Sequence, residues 1–233
     1  MKFLKKYVDP WLRLYSILPL LSAFLFNDLI YWGSMVLAKN RYHYDFTTEL
    51  DRMVPLVPWT IIIYLGCYIF WIVNYIIIGH LEKKEFYRFI TADLLSRFLC
   101  GVFFLLLPTT NVRPPLPADS IFTGAIQWLW SIDAPVNLFP SIHCLVSWLC
   151  YVGIRGKKGI PKWYQWLSCG IALAVCVSTQ TTKQHYFVDV IGAIVIAEGC
   201  YWLTHHTEWY RAVMKVFEPR NADQKRKLEK TDG

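Results

Sequence analysis

The sequence predicts an all-α integral membrane protein, a bundle of six transmembrane helices. Three observations point there. The 233 residues are 55% hydrophobic and 17% aromatic, with a mean hydropathy of +0.31, which leaves too little polar surface for a soluble domain of this size. The apolar residues fall in runs close to the ~20 residues a helix needs to cross a bilayer. Basic residues flank those runs on alternate sides, so the net charge of +7 follows from membrane topology and calls for no nucleic-acid partner.

The spans are expected at Pro10–Leu37, Trp59–Gly79, Phe86–Pro108, Ser141–Ile154, Lys162–Ser178 and Tyr186–Thr204. Asp9 can cap the first helix and Pro10 suits its first position. The basic start, Met1 to Lys6, precedes a long apolar region without a small-x-small cleavage site, so the segment is expected to stay as a span. Trp11, Trp32, Trp59, Trp163 and Trp202 lie near span ends, where interfacial aromatics belong. The fourth span is short, which suggests an earlier start or an outer end beside water. Before it, Arg113-Pro114-Pro115 and Pro117 hold an outer segment extended. Asp119-Ser120 then caps a short interfacial helix over Ile121–Trp130, either a wall beside a lipid slot or a plain connection. Residues 1–217 make one membrane domain, and 218–233 a basic cytoplasmic tail suited to anionic headgroups. The seven cysteines lack metal-type spacing and read as packing residues.

Loop charge sets the orientation. Basic clusters occupy Lys2–Arg13, Lys83–Arg88, Arg155–Lys162 and Arg211–Lys230, whereas the alternate loops carry Lys39, Arg41, Arg52, Arg113 and Lys183. The imbalance exceeds about threefold, which puts both termini in the cytoplasm. Arg113, His143, His185 and Asp189 then share the non-cytoplasmic side.

Those residues carry the chemistry. His185 and Asp189 are four apart, on one helical face. The carboxylate can hold one imidazole nitrogen and aim the other outward, where it can attack phosphorus. His143 follows Pro140-Ser141-Ile142 at the start of the fourth span. The free N–H groups of that first turn attract anions, and its imidazole can protonate a leaving oxygen. Arg113 offers a planar fork for phosphate oxygens.

The strings L-L-P-T-T-N-V-R-P, P-S-I-H and S-T-Q-T-T-K-Q-H-Y-F-V-D, from about Leu106 to Gly192, resemble the three motifs of the type-2 phosphatidic acid phosphatase superfamily: K-x6-R-P, P-S-[GIL]-H and S-R-x5-H-x3-D. The resemblance implies His185 as nucleophile, Asp189 as its orienting carboxylate, His143 as general acid, and Ser141 and Arg113 as phosphate binders. It implies no metal ion, no cofactor, and a membrane lipid with a phosphate-containing headgroup as substrate. The motif lysine falls on Leu106 and the motif arginine on Thr179, so two cationic ligands are absent; Lys183 is the candidate to restore one charge. This looser set suits a phosphodiester or bulky headgroup better than a compact dianion.

The leading expectation is therefore a metal-independent lipid phosphatase, because water needs no acceptor pocket. H-Y-F-V-D also looks like the corresponding string of inositol phosphorylceramide synthases, and sphingomyelin synthases share H-Y-x-x-D, which makes headgroup transfer the alternative. A non-catalytic lipid-binding or transport protein, and a metal site built from His143, His185 and Asp189, are the remaining readings. Elsewhere, Asp93 and Arg97 are spaced for a local ion pair, and Asp28, Asn27 and Glu198 are expected to face the bundle interior or a wet slot.

Overall fold

The computed structural model describes Asp9 and residues 12–218. The lysines before Asp9, Pro10, Trp11 and the tail beyond Glu218 lie outside the described residues. In chain order the elements are α1 (Leu14–Ala38), β1 (Tyr44–Asp45), α2 (Glu49–Met53), a 3-10 turn (Pro58–Thr60), α3 (Ile61–Gly79), α4 (Lys83–Leu106), β2 (Thr109–Thr110), α5 (Ile121–Ile132), α6 (Ile142–Ile154), α7 (Lys162–Thr181), α8 (Phe187–His206) and α9 (Tyr210–Phe217). The carboxylate of Asp9 accepts the Leu14 N–H at 2.9 Å, so it does serve the start of the first helix.

Four helical segments among the described residues are long and apolar enough to cross a membrane: α1, Pro58–Gly79, α4 and α8. They suggest a membrane protein. The other two expected spans are helical but fall short of that standard. With 13 residues, α6 is only about 20 Å long. At 20 residues, α7 has the length, but its polar end Ser178-Thr179-Gln180-Thr181 dilutes the apolar content.

Polarity is arranged as a bilayer demands. Large apolar side chains are exposed along α1 (Leu25, Leu29, Val36), α3 (Ile62, Ile69, Ile72) and α8 (Ile191, Val195). Water would oppose so extensive an apolar surface. Inside, Phe86, Phe89 and Ile90 of α4 pack with Leu145, Leu149 and Ile154 of α6 and with Ala193 and Ala197 of α8. The short α6 is the central post, touching α3, α4, α7 and α8. Interior polar groups pair with each other, as in the 2.8 Å ion pair of Arg97 with Asp93, four residues apart on α4. Glu198 does not face the interior core. It receives both guanidinium N–H groups of Arg155, at 2.7 and 2.8 Å, and so ties α8 to the C-terminal end of α6. Glu85 gathers Arg88, Lys157 and His205 at the same end.

The outer loops depart from the all-α expectation in one detail. Strands β1 and β2 pair in parallel, Tyr44 with Thr109 and Asp45 with Thr110, and Thr110 bridges to Val136. Backbone polar groups meeting above the bundle need partners, and a two-residue ladder supplies them. Helix α5 begins where expected, with a capping box in which the Ser120 hydroxyl accepts the Thr123 N–H and Thr123 accepts the Ser120 N–H.

One close approach fixes the outer end of α8. A Cβ on Gly192 would lie 2.5 Å from the Phe139 ring, which is itself wedged edge-on against Phe46 and Phe103. Phe139 leads into α6, so this contact sets the spacing between α6 and α8. Gly192→Ala should therefore cost about 1–3 kcal/mol through overpacking, read as a lower thermal midpoint of the detergent-solubilised protein. Adding Phe139→Leu should recover part of the loss.

Candidate active site

Two helix starts place the two histidines. At the α7–α8 turn, Thr179 O accepts the N–H groups of both Gln184 (2.9 Å) and His185 (3.1 Å). Lys183 adopts the left-handed conformation at φ 57° that the tight turn requires. Asp189, in the first turn of α8, accepts the Tyr186 N–H through Oδ2 at 2.8 Å. The same oxygen lies 3.3 Å from His185 Nδ1, and Leu138 O lies 3.1 Å from it. Both partners only accept, so Nδ1 carries the proton and the Nε2 lone pair is left for chemistry. Burial opposes a charged His185, but the hydrogen bond and negative charge of Asp189 outweigh it and raise its pKa above the ordinary histidine value.

His143 sits in the first turn of α6, behind Ser141. The Ser141 hydroxyl accepts the Cys144 N–H at 3.3 Å as the helix cap, and the Ser141 N–H donates to the backbone carbonyl of Asp189 at 3.2 Å. That bond draws the two helix starts together. The two imidazole centroids are 6.0 Å apart and tilted by 53°. Two groups so spaced can each come within about 3–3.5 Å of an atom between them. Each nitrogen of His143 meets a tyrosine of α3, Nδ1 the hydroxyl of Tyr64 and Nε2 that of Tyr68, both at 3.3 Å. One hydroxyl donates to the bare nitrogen while the other accepts from the ring N–H, which satisfies a neutral ring.

Both histidines open into a cavity of about 530 Å³ that runs inward between α1 and α3. Phe24 and Ile72 line it and are also exposed on the apolar exterior. Helix α1 is held by α4, and α3 by α6 and α7, so the slot between α1 and α3 opens onto the apolar exterior. Asp28 and Asn27 line it too, and the fixed cation among its described lining residues is Arg97, already paired with Asp93.

The expected phosphate binders lie elsewhere. Arg113 is one layer behind the cavity wall. Its Nη1 donates to Trp130 O (3.1 Å) and Asp133 O (2.8 Å), and its Nη2 to Gln184 Oε1 (2.7 Å), with the guanidinium 5.4 Å over the Trp130 ring. Burial lowers its pKa. Lys183 points its ammonium at the carbonyls of Asp51 (3.0 Å) and Val54 (2.5 Å), where burial also lowers its pKa. The Ser141 hydroxyl is fully buried in its capping role. Thus His143, His185 and Asp189 are gathered, whereas Arg113, Ser141 and Lys183 are engaged by the protein itself. At the two departures from the motifs, Leu106 is 70% exposed on the exterior, and the Thr179 hydroxyl donates to Cys176 O. Among the described residues no three His, Cys, Asp or Glu side chains gather as a metal site, so His143, His185 and Asp189 do not form the ligand set of the metal alternative.

Sequence reasoning passed over Tyr64, Tyr68, Asn137 and Gln184. The tyrosines had a legible signal, since hydroxyls four apart on an apolar span need polar partners. Gln184 lay inside the H-Y-F-V-D string's own approach but its role depended on where Arg113 would end up. Asn137, three residues before Pro140, had no local signal.

No curated protein and no solved structure matches the chain. The profile of the PAP2 superfamily matches residues 38–203, a stretch that includes α3 to most of α8 and both histidines. That match covers well over half of the sequence and agrees with the motif resemblance. The chain therefore belongs to the PAP2 superfamily, the type-2 phosphatidic acid phosphatase superfamily, whose members are generally phosphatases.

Proposed function

We propose that the protein is a metal-independent lipid phosphatase that cleaves a lipid phosphate or diphosphate through a phosphohistidine. In this reading α1, α3, α4, α6, α7 and α8 form a six-span bundle with cytoplasmic termini, and the site opens on the non-cytoplasmic side. The observation that carries it is the facing pair of imidazoles, 6.0 Å apart, at the head of a slot whose walls turn apolar toward the bilayer. A lipid can keep its chains between α1 and α3 while its phosphate meets the histidines.

The steps balance as follows. His185 Nε2 attacks phosphorus, a P–N bond forms, and the P–O bond to the lipid alcohol breaks. His143 enters the step as imidazolium, gives one proton to the departing oxygen and returns to the neutral ring described above. Tyr68 lies on the cavity wall and touches Nε2 of His143, so it can pass that proton or hold a phosphoryl oxygen. Water, deprotonated by His143, then attacks phosphorus and breaks the P–N bond. Asp189 keeps the attacking tautomer and steadies the positive ring. Neutral donors in a water-poor pocket stabilise charge better than they would in water.

Headgroup transfer is the second reading. It is favoured by the size of the cavity and by acceptor oxygens in its lining, those of Asn27, Asp28 and Asn137, which suit a hydroxyl-bearing alcohol. The two divide on the product. Purified protein offered labelled phosphatidic acid, polyprenyl diphosphates or phospholipids releases free phosphate if it hydrolyses, and labels an added diacylglycerol, ceramide or alcohol if it transfers. His185→Ala and His143→Ala should each lower turnover by roughly 10³-fold or more; wild-type rates in either variant overturn the assignment. Exhaustive chelation should leave the rate unchanged.

The pH profile supplies a further check. His185 attacks only when neutral, and Asp189 raises its pKa, so the charged, inactive form persists to higher pH than for a free imidazole. The acidic limb of kcat/KM should therefore fall above about 6.5. In Asp189→Asn the raising influence is gone, so that limb should move to lower pH while the plateau drops at least about tenfold.

A further inference from the structure

Two buried amides on the cavity wall have a polar end without a partner among the described residues. Gln184 is 2% exposed and Asn137 3%; Gln184 Nε2 and Asn137 Oδ1 are the unpartnered atoms. Both side chains line the cavity that holds the histidines. Their orientations follow from their partners. A guanidinium only donates, so the Gln184 atom 2.7 Å from Arg113 Nη2 must be the oxygen. That leaves the NH2 group of Gln184 as a donor beside His185. Buried donors without partners are rare and call for an explanation.

We propose that Gln184 is a substrate-binding residue whose amide N–H groups hold an anionic phosphoryl oxygen, with Arg113 as the positioning residue that aims and polarises it. The ligand class is a phosphate mono- or diester, and for the reaction itself the proposal rests on the phosphatase reading above. The geometry accounts for a positive charge that never reaches the cavity. Arg113 is fixed by two carbonyls and stacked on Trp130, and its Nη2 donates to the Gln184 carbonyl. Withdrawal of electron density from that carbonyl makes the opposite NH2 a stronger donor, as in any polarised hydrogen-bond chain. The arginine's influence therefore arrives as a neutral, directional donor. Gln184 directly precedes the nucleophile in a turn where both backbone N–H groups meet the Thr179 carbonyl, and both residues line the cavity. The positions where the motifs place cations, Leu106 and Thr179, offer none here, so the chain needs another donor at this end of the cavity.

Gln184→Glu separates this role from a structural one. Glutamate keeps the acceptor for Arg113 and can only strengthen that contact, but it removes the donor. Gln184→Met, close in volume, removes the donor without adding charge. Two measurements on purified full-length protein in detergent read the outcome: thermal stabilisation by inorganic phosphate or orthovanadate, and kcat/KM on whichever phospholipid the wild type turns over. The expected result is at least a tenfold weaker response to both anions in both variants, with the same fall in kcat/KM. The ligand-free melting temperature of Gln184→Glu should stay at or above wild type. Anion binding within twofold of wild type in either folded variant overturns the proposal, as does a wild type that neither anion stabilises. The anion arm does not depend on turnover, so an inactive wild type that still binds phosphate through Gln184 would defeat the phosphatase reading and leave this one standing.

Discussion

Asp189 is the joint on which the site depends. Its carboxylate accepts from His185 and from the backbone of Tyr186, and its own carbonyl accepts the N–H of Ser141. One residue thus orients one histidine and draws in the helix that carries the other. The link is possible because α8 begins where α6 begins, with Phe139 pressed against Gly192. Even a small displacement of α8 would change the tautomer control and the spacing of the imidazoles together, since interiors packed this closely do not deform smoothly.

The bilayer sets the rest. With apolar chains outside, the polar side chains must face inward and satisfy one another. Arg97 with Asp93 does so inside the bundle, and Glu198 with Arg155 forms a half-exposed pair at the far end of α6. The short α6 has a further consequence. Its C-terminal end is fixed by Arg155, and at about 20 Å it falls short of a hydrocarbon core roughly 30 Å thick. The end that bears His143 lies beside the 135–140 segment, whose Leu138 carbonyl meets His185. The low dielectric of so buried a site strengthens each directed hydrogen bond.

That environment also explains why few free cations are needed. A guanidinium pointing into the cavity without an anion would be costly to bury. Arg113 is instead solvated locally by two carbonyls, by the Trp130 face and by Gln184. Lys183 closes the loop against the end of α2 through the Asp51 and Val54 carbonyls. Such an arrangement presents the cavity with uncharged donors and with the acceptor oxygens of Asn27, Asp28 and Asn137, a lining better matched to a singly charged ester and its hydroxyls than to a compact dianion.

Much of this was legible in the chain itself. Apolar run lengths gave the helices, and the spacing of His185 and Asp189, with Pro140 and Ser141 before His143, gave the residues that the fold brings together. Those features are local: one helical face, one cap, one bilayer thickness. The partners of Arg113, Ser141 and Lys183 were not legible, nor were the tyrosines on His143, the two-residue ladder, or Gln184 as the residue that faces the cavity. A long polar side chain has many acceptors within reach, and only the packing of segments distant in sequence decides which one it meets. Residue types fixed which chemistry was available; the crossing of α3, α6 and α8 decided which atoms were left free to perform it.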